Sequence, residues 1–338
     1  LLMGVLAAQP FTCVLDGDAS LRSRPMERVT RPLSLMGAEF EWLQAHGRLP
    51  VRVHGRALQS LDYDLPVASA QLKSSLLLAG LSGGVPVQLS EPGASRDHTE
   101  RMLRGMGVSV LSHVQTRGVR VELRDPPDQL PGLDLDVPGD LSSAAFFLLA
   151  ALLGVTQQPL ELPAVGVNPT RSGVLDLLAR MGGRVGVENP RTVGGEPIAD
   201  LVAEPARLQG IEVDAADVTS AIDEIPAIAV AAARAEGRTV IRGAGEMRVK
   251  ETDRIRALVT NLRAVGVTAE EFEDGLEVVG TDAPLRGRVD AFDDHRIAMA
   301  FGVLAAQPGN QIEVDGRSCV EVSFPDFWSQ LEGARDAD

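Results

Sequence analysis

Asp140-Leu141-Ser142-Ser143-Ala144-Ala145-Phe146-Phe147-Leu148-Leu149-Ala150-Ala151-Leu152-Leu153-Gly154 starts polar and then offers no polar face. A helix that is apolar all round has to be covered on every side by other elements. Four more segments read the same way: Leu1–Gln9, Ser69–Leu81, Ser220–Gly237 and Asp293–Gln307. The last four of the five begin at 69, 140, 220 and 293, in steps of 71, 80 and 73 residues. Between them run amphipathic helices that end in an apolar-Gly-apolar signature, at Met36-Gly37, Met106-Gly107, Met181-Gly182 and Val265-Gly266. Glycine just past a helix end supplies the left-handed cap, and the residues after it alternate as a strand does. Val185, Val187 and Val278-Val279 have the β-branched character strands favour. Each repeat therefore reads as apolar helix, strand, amphipathic helix, strands. A period of ~75 residues is too long for a solenoid unit of about 20–50. The expectation is a globular, internally repeated α/β protein.

Composition narrows the function. The 338 residues carry 32 Lys+Arg against 47 Asp+Glu, a net charge of −15. An acidic chain is a poor general binder of nucleic acid, which needs a basic stripe. Small anions remain open, because a local Arg cluster outweighs a global field at short range. Cys13 and Cys319 have no partners at metal spacing, and the five histidines show no zinc pattern. A reduced cytoplasmic protein without a metal is expected. No apolar run reaches the ~18 residues of a membrane span.

The polar residues collect at the starts of helices. Asp140 and Asp293 read as N-caps, each worth about 1 kcal/mol. Arg296, in the first turn after Asp294, opposes the helix dipole unless an anion sits with it. The densest cluster is Arg248-Val249-Lys250-Glu251-Thr252-Asp253-Arg254. It is read either as a solvated face or as an anion seat with a general acid/base beside it. Thr252 or Asp253 is expected to cap the helix that follows. Arg24, directly before Pro25 at a supposed helix N1 position, and Arg96 repeat the theme. Together these basic helix starts point to a polyanionic ligand. Gly80-Leu81-Ser82-Gly83-Gly84 matches a nucleophile elbow in letters only, since it ends a helix and precedes a strand.

These residues carry a resemblance. Gly17-Asp18-Ala19-Ser20-Leu21-Arg22-Ser23-Arg24-Pro25-Met26, Ser69-Ala70-Gln71-Leu72-Lys73-Ser74 and Ser95-Arg96-Asp97-His98-Thr99-Glu100 match one family, as do Gly139–Ala144, Asp223-Glu224-Ile225-Pro226, Arg248–Arg254 and Asp293-Asp294-His295-Arg296. The chain resembles the 3-phosphoshikimate 1-carboxyvinyltransferase (EPSP synthase) family over essentially its whole length. The resemblance implies a two-domain enolpyruvyl transferase fold of repeated βαβαββ units, an inside-out α/β barrel. It places the domains at about 1–138 and 139–338, closing over phosphoenolpyruvate and shikimate 3-phosphate. It implies that Ser69, Ala70, Gln71, Arg96, Asp223 and Lys250 hold shikimate 3-phosphate. Arg24, Gln71, Arg254 and Arg296 would hold phosphoenolpyruvate, Asp223 would take the 5-hydroxyl proton, and Glu251 would exchange protons with the methylene. No cofactor, metal, nucleic acid or membrane is implied, and a monomer is expected.

The family has six apolar helices where five are read here, so an N-terminal segment on the order of a hundred residues is expected ahead of Leu1. The family's N-terminal Lys-Ser motif and Asn-x-Gly-Thr loop are not in the chain, and Val322 stands where a Lys is expected before Phe324-Pro325. Two rival readings follow: an inactive truncated remnant that binds anions, and a UDP-N-acetylglucosamine enolpyruvyl transferase.

Overall fold

One folding pattern recurs along the chain in the computed structural model, which describes residues 1–156 and 158–336. The first copy runs α1 (Leu2–Ala7), β1 (Thr12–Leu15), α2 (Ala19–Ser23), α3 (Glu27–Leu35), β2 (Glu39–Trp42) and β3 (Val51–His54), with strand order β1-β3-β2. The second shows the βαβαββ unit in full: β4 (Leu61–Asp64), α4 (Ala70–Gly83), β5 (Val87–Glu91), α5 (His98–Gly105), β6 (Val110–Val114) and β7 (Val119–Leu123). Its sheet order is β4-β5-β7-β6, with β4 and β5 parallel and the other pairs antiparallel. The parallel pair needs a crossover, which α4 supplies, whereas β6 and β7 need only a tight turn.

The third copy, α6 (Leu141–Leu152), β8 (Leu160–Gly166), α7 (Gly173–Arg180), β9 (Arg184–Val193) and β10 (Glu196–Glu204), has the order β8-β10-β9. Its opening strand is reduced to a parallel bridge between Gly139 and Val165. The fourth copy is β11 (Glu212–Val213), α8 (Ala215–Ala221), α9 (Ile225–Ala232), β12 (Arg238–Ile241), α10 (Arg254–Ala264), β13 (Thr268–Phe272) and β14 (Gly275–Val279). Its order β11-β12-β14-β13 repeats that of the second copy, with the same parallel first pair. A last parallel pair, β15 (Arg286–Asp290) and β16 (Gln311–Asp315), brackets α11 (His295–Ala306), and α12 (Phe327–Asp336) follows.

The chain divides into two compact units. Unit 1 is Leu1–Asp136 with the hairpin tip Val193–Glu196, and unit 2 is Val137–Thr192 with Pro197–Asp338. In unit 2 the apolar helices α6, α9 and α11 pack on one another, and in unit 1 α1 packs on α4. Phe146, Leu148, Ile228, Val230, Phe301 and Leu304 are fully buried, each worth roughly 1.5–3 kcal/mol. Helices at the centre with sheets and amphipathic helices around them are what the apolar pattern requires.

All four glycine-marked helix ends close alike. The N–H groups of Gly37, Gly107, Gly182 and Gly266 bond to the carbonyls of Ser34, Arg104, Ala179 and Arg263. The next N–H groups, of Ala38, Val108, Gly183 and Val267, reach Leu33, Leu103, Leu178 and Leu262. This is the Schellman pairing, and it requires the positive φ found at each of these glycines, between 80° and 109°.

Three local expectations change. The apolar helix placed at Ser220–Gly237 is two helices: Asp214 and Asp217 form a capping box that starts α8, and α9 begins only after Glu224. The cap of α11 is Asp294, whose carboxylate accepts from the Arg296 and Ile297 N–H groups; Asp293 occupies a turn at φ 56°. Pro25 is not a first helical residue, because Arg24 caps the C-terminal end of α2 and Met26 is the N-cap of α3.

Candidate active site

Unit 2 gathers five of the sequence-predicted residues at helix starts. Asp253, rather than Thr252, caps α10 by accepting from the Arg256 N–H. That cap directs Arg254 into the protein, where its side chain is 1% exposed. A solvated face is therefore the wrong reading of this residue. The guanidinium spreads three ways: Nε donates to Asp294 Oδ2 at 2.7 Å, Nη2 donates to Glu251 Oε2 at 2.7 Å, and Nη1 lies 3.7 Å from Asp223 Oδ1. Nη1 has no hydrogen-bond partner among the described residues. Lys250 Nζ stands 3.6 Å from the same Asp223 oxygen.

Arg296, in the first turn of α11, donates from Nη1 to the Asp223 carbonyl at 3.0 Å. Its unfavourable place at a helix start is offset by the Asp294 cap and by Glu224, 3.9 Å from Nη1. Arg248, the first cation of the dense cluster, points elsewhere. It bonds Asp253 and the carbonyls of Phe272 and Glu273, pinning the 3-10 turn Gly245–Val249 to the β13–β14 hairpin.

A second layer was invisible in the sequence. Glu224 is completely buried; Ser142 Oγ donates to its Oε1, and Arg171 Nη2 donates to that same hydroxyl. Arg171 also pairs with the α6 cap Asp140 at 2.9 Å. Burial pushes the Glu224 carboxyl above the usual carboxylate range, against the pull of Ser142 and the two arginines. The sequence signal is that Glu224 and Ser142 stand in the matching stretches Asp223–Pro226 and Gly139–Ala144, and nothing in the letters says that they are buried.

In unit 1, Ser69 caps α4 by accepting from the Leu72 N–H, with Ala70 and Gln71 as its first helical residues. Arg96 lies half-buried in the turn before α5, which begins after Asp97. Arg24 lies on the exposed turn between α2 and α3. Val322, which stands where the family resemblance implies a lysine, is exposed at the end of the 3-10 turn Arg317–Val322. Among the described residues, no three of His, Cys, Asp and Glu gather as a metal would need.

His295 gives this site a pH signature. Burial first, and then Arg296 beside it, hold its imidazole below the ordinary value of 6.5. The folded protein keeps the ring neutral where the unfolded chain takes up a proton. Its contribution to stability is thus present above 6.5 and lost as the pH falls through the lowered value. Melting temperatures from about pH 5 to 8 should fall on the acid side, and His295→Gln should flatten that fall. An unchanged profile would show that His295 does not titrate differently on folding.

Comparisons with known proteins place this chain in one family. Residues 1–331 match the family described as EPSP synthase (3-phosphoshikimate 1-carboxyvinyltransferase). The 3-phosphoshikimate 1-carboxyvinyltransferase of Geobacter metallireducens is 48% identical over 335 residues, covering 98% of this chain and 76% of the relative. That of Acidithiobacillus ferrooxidans is 50% identical over 327 residues, 97% and 73% of the two chains. The EPSP synthase structure from Acinetobacter baumannii superposes with a TM-score of 0.87 at 42% identity, over 98% of this chain and 75% of that one. The enolpyruvyl transferase NikO from Streptomyces tendae, at 21% identity and a TM-score of 0.75 over 98% of this chain and 75% of that one, shares the fold.

Proposed function

Because this chain belongs to the EPSP synthase family, we propose that its clusters of buried and half-buried arginine, lysine and carboxylate carry out that family's reaction. The protein is a 3-phosphoshikimate 1-carboxyvinyltransferase of the shikimate pathway. It moves the enolpyruvyl group of phosphoenolpyruvate to the 5-hydroxyl of shikimate 3-phosphate and releases phosphate. The single observation that best supports the site assignment is Arg254, a guanidinium sunk among three carboxylates, with Nη1 lacking a hydrogen-bond partner among the described residues. An unsatisfied buried donor is costly, and an anion satisfies it.

In this reading Arg24, Gln71, Arg254 and Arg296 hold phosphoenolpyruvate, whose carboxylate and phosphate suit guanidinium forks. Ser69, Ala70, Gln71, Arg96, Asp223 and Lys250 hold shikimate 3-phosphate. Asp223 takes the 5-hydroxyl proton as that oxygen bonds to C2 of phosphoenolpyruvate, and Glu251 delivers a proton to C3, making a methyl group. Glu251 then takes a proton back from the methyl while the bond between C2 and the bridging phosphate oxygen breaks, the oxygen leaving with phosphorus. The proton taken from the hydroxyl leaves with phosphate, so the balance closes. The support lies in the polarity of the surroundings: Glu251 is held through Arg254 with its side chain partly open to solvent, and Asp223 faces two cations. The protein is read as cytoplasmic, which its two free cysteines suit, and as a monomer, which the family resemblance implies.

Lys250→Met tests the assignment. Losing a charge-assisted bond of about 1.5–3 kcal/mol should weaken shikimate 3-phosphate by about 10–150-fold in a calorimetric titration. Unchanged affinity would remove Lys250 from the binding set.

A further inference from the structure

Lysine is rarely buried, yet Lys73, in the second turn of α4, is 1% exposed. Its ammonium lies 2.9 Å from Glu91 Oε1 and 2.8 Å from Glu100 Oε1, and both glutamates are buried with it. None of these three has a part in the reaction as assigned above. Their placement, however, is specific. Lys73 is two residues beyond Gln71 on α4, Glu91 is the last residue of β5, and Glu100 is in the first turn of α5. Glu91 also reaches forward along the chain: its Oε2 accepts from Ser95 Oγ at 2.7 Å and its Oε1 from the Ser95 N–H at 3.3 Å. Ser95 directly precedes Arg96. One carboxylate thus ties the turn carrying Arg96 to the helix whose start carries Ser69, Ala70 and Gln71. A second link runs alongside, where Thr99 Oγ1 donates to Ser74 Oγ at 2.7 Å.

We propose that Glu91, anchored by Lys73, is a positioning residue for shikimate 3-phosphate, fixing the Arg96 turn against the start of α4. The proposal rests on the binding role given above to Arg96, Ser69 and Gln71. A buried ion pair suits this task better than apolar packing, because it has one geometry and fails sharply when a partner is lost. The two glutamates are not equivalent. Glu100 Oε2 has no hydrogen-bond partner among the described residues, and burial pushes its carboxyl above the usual carboxylate range, against the pull of Lys73. Glu91 makes the link to the loop; Glu100 fills the other side of the ammonium.

The test compares Arg96→Met, Glu91→Gln, Lys73→Met, Lys73→Arg, Glu100→Gln and Ser95→Ala in the full-length protein that carries this chain. Shikimate 3-phosphate affinity is measured by calorimetry, and KM and kcat by phosphate release. Arg96→Met, Glu91→Gln and Lys73→Met should each weaken shikimate 3-phosphate on the order of 10–100-fold, with kcat at saturation largely kept. Lys73→Arg should restore most of the affinity, and Glu100→Gln should leave it within about threefold, since the link to the loop carrying Arg96 runs through Glu91. Ser95→Ala cuts only the loop end of the link and leaves the buried pair whole. It should weaken binding several-fold at an unchanged melting temperature, and it decides the matter if the buried variants do not fold. If Arg96→Met has no effect, the binding role of Arg96 is wrong. If Arg96→Met weakens binding while Glu91→Gln and Ser95→Ala do not, or if they lower kcat and leave KM alone, the positioning role of Glu91 is overturned.

Discussion

Glu251→Gln is expected to lower turnover by about 10²–10⁴-fold while KM for both substrates moves only a few-fold, because the change removes a proton donor and acceptor and keeps its shape. The amide oxygen can still accept from Arg254 Nη2, which lies 2.7 Å from the present carboxylate, so the guanidinium keeps its place. What is lost is the capacity to give a proton to the phosphoenolpyruvate methylene and to take one back. Steady-state phosphate release under saturation by each substrate in turn separates the two effects. Near-wild-type turnover would show that Glu251 has no part in the chemistry.

Arg254→Met should be the most damaging single change to stability. The guanidinium is the cation that Asp294, itself completely buried, pairs with at 2.7 Å. Methionine fills similar volume but leaves that carboxylate in the interior with the Arg296 and Ile297 N–H groups as its donors among the described residues. Breaking a buried pair from one side costs about 3–5 kcal/mol. The chain has two tryptophans, Trp42 in unit 1 and Trp328 in unit 2. In a Trp42→Phe background, the fluorescence of Trp328 reports the unfolding of unit 2 alone. Its denaturant midpoint should drop sharply for Arg254→Met. Arg254→Lys should recover part of the stability but little phosphoenolpyruvate binding, since an ammonium cannot reproduce the fork. A midpoint within error of the parent's would mean that Asp294 does not depend on this pairing.

The features legible in the sequence were those set by local chemistry. Helix ends with glycine at a fixed place, such as Met36-Gly37 and Val265-Gly266, announced their Schellman bonds because that geometry involves only neighbours in the chain. The helices apolar on every face announced a central position for the same reason. Errors arose where two adjacent residues offer the same chemistry. Asp293 and Asp294 can both cap a helix, and only the backbone turn at φ 56° decides that the second one does. Ser220 looks like a cap, yet the Asp214–Asp217 box six residues earlier had already started a helix.

In the site, the charged starts of α10 and α11 were visible as clusters. Their partners were not, because burial of a charge is set by packing across long stretches of chain. Ser142 reaches Glu224 across 82 residues, and Arg254 reaches Asp294 across 40. Lys73 shows the limit most clearly. In the sequence it is one letter of a matching stretch, and only the fold gives it two buried glutamates.

The central claim is that this protein adds the enolpyruvyl group to shikimate 3-phosphate, and the most direct measurement is a choice of acceptor. The full-length protein that carries this chain is incubated with phosphoenolpyruvate and either shikimate 3-phosphate or UDP-N-acetylglucosamine, following phosphate release and the mass of the product. The expected result is phosphate formed in step with a 5-enolpyruvyl product from shikimate 3-phosphate, and none above background with the nucleotide sugar. Phosphate release with UDP-N-acetylglucosamine, or none with either acceptor, would contradict the account.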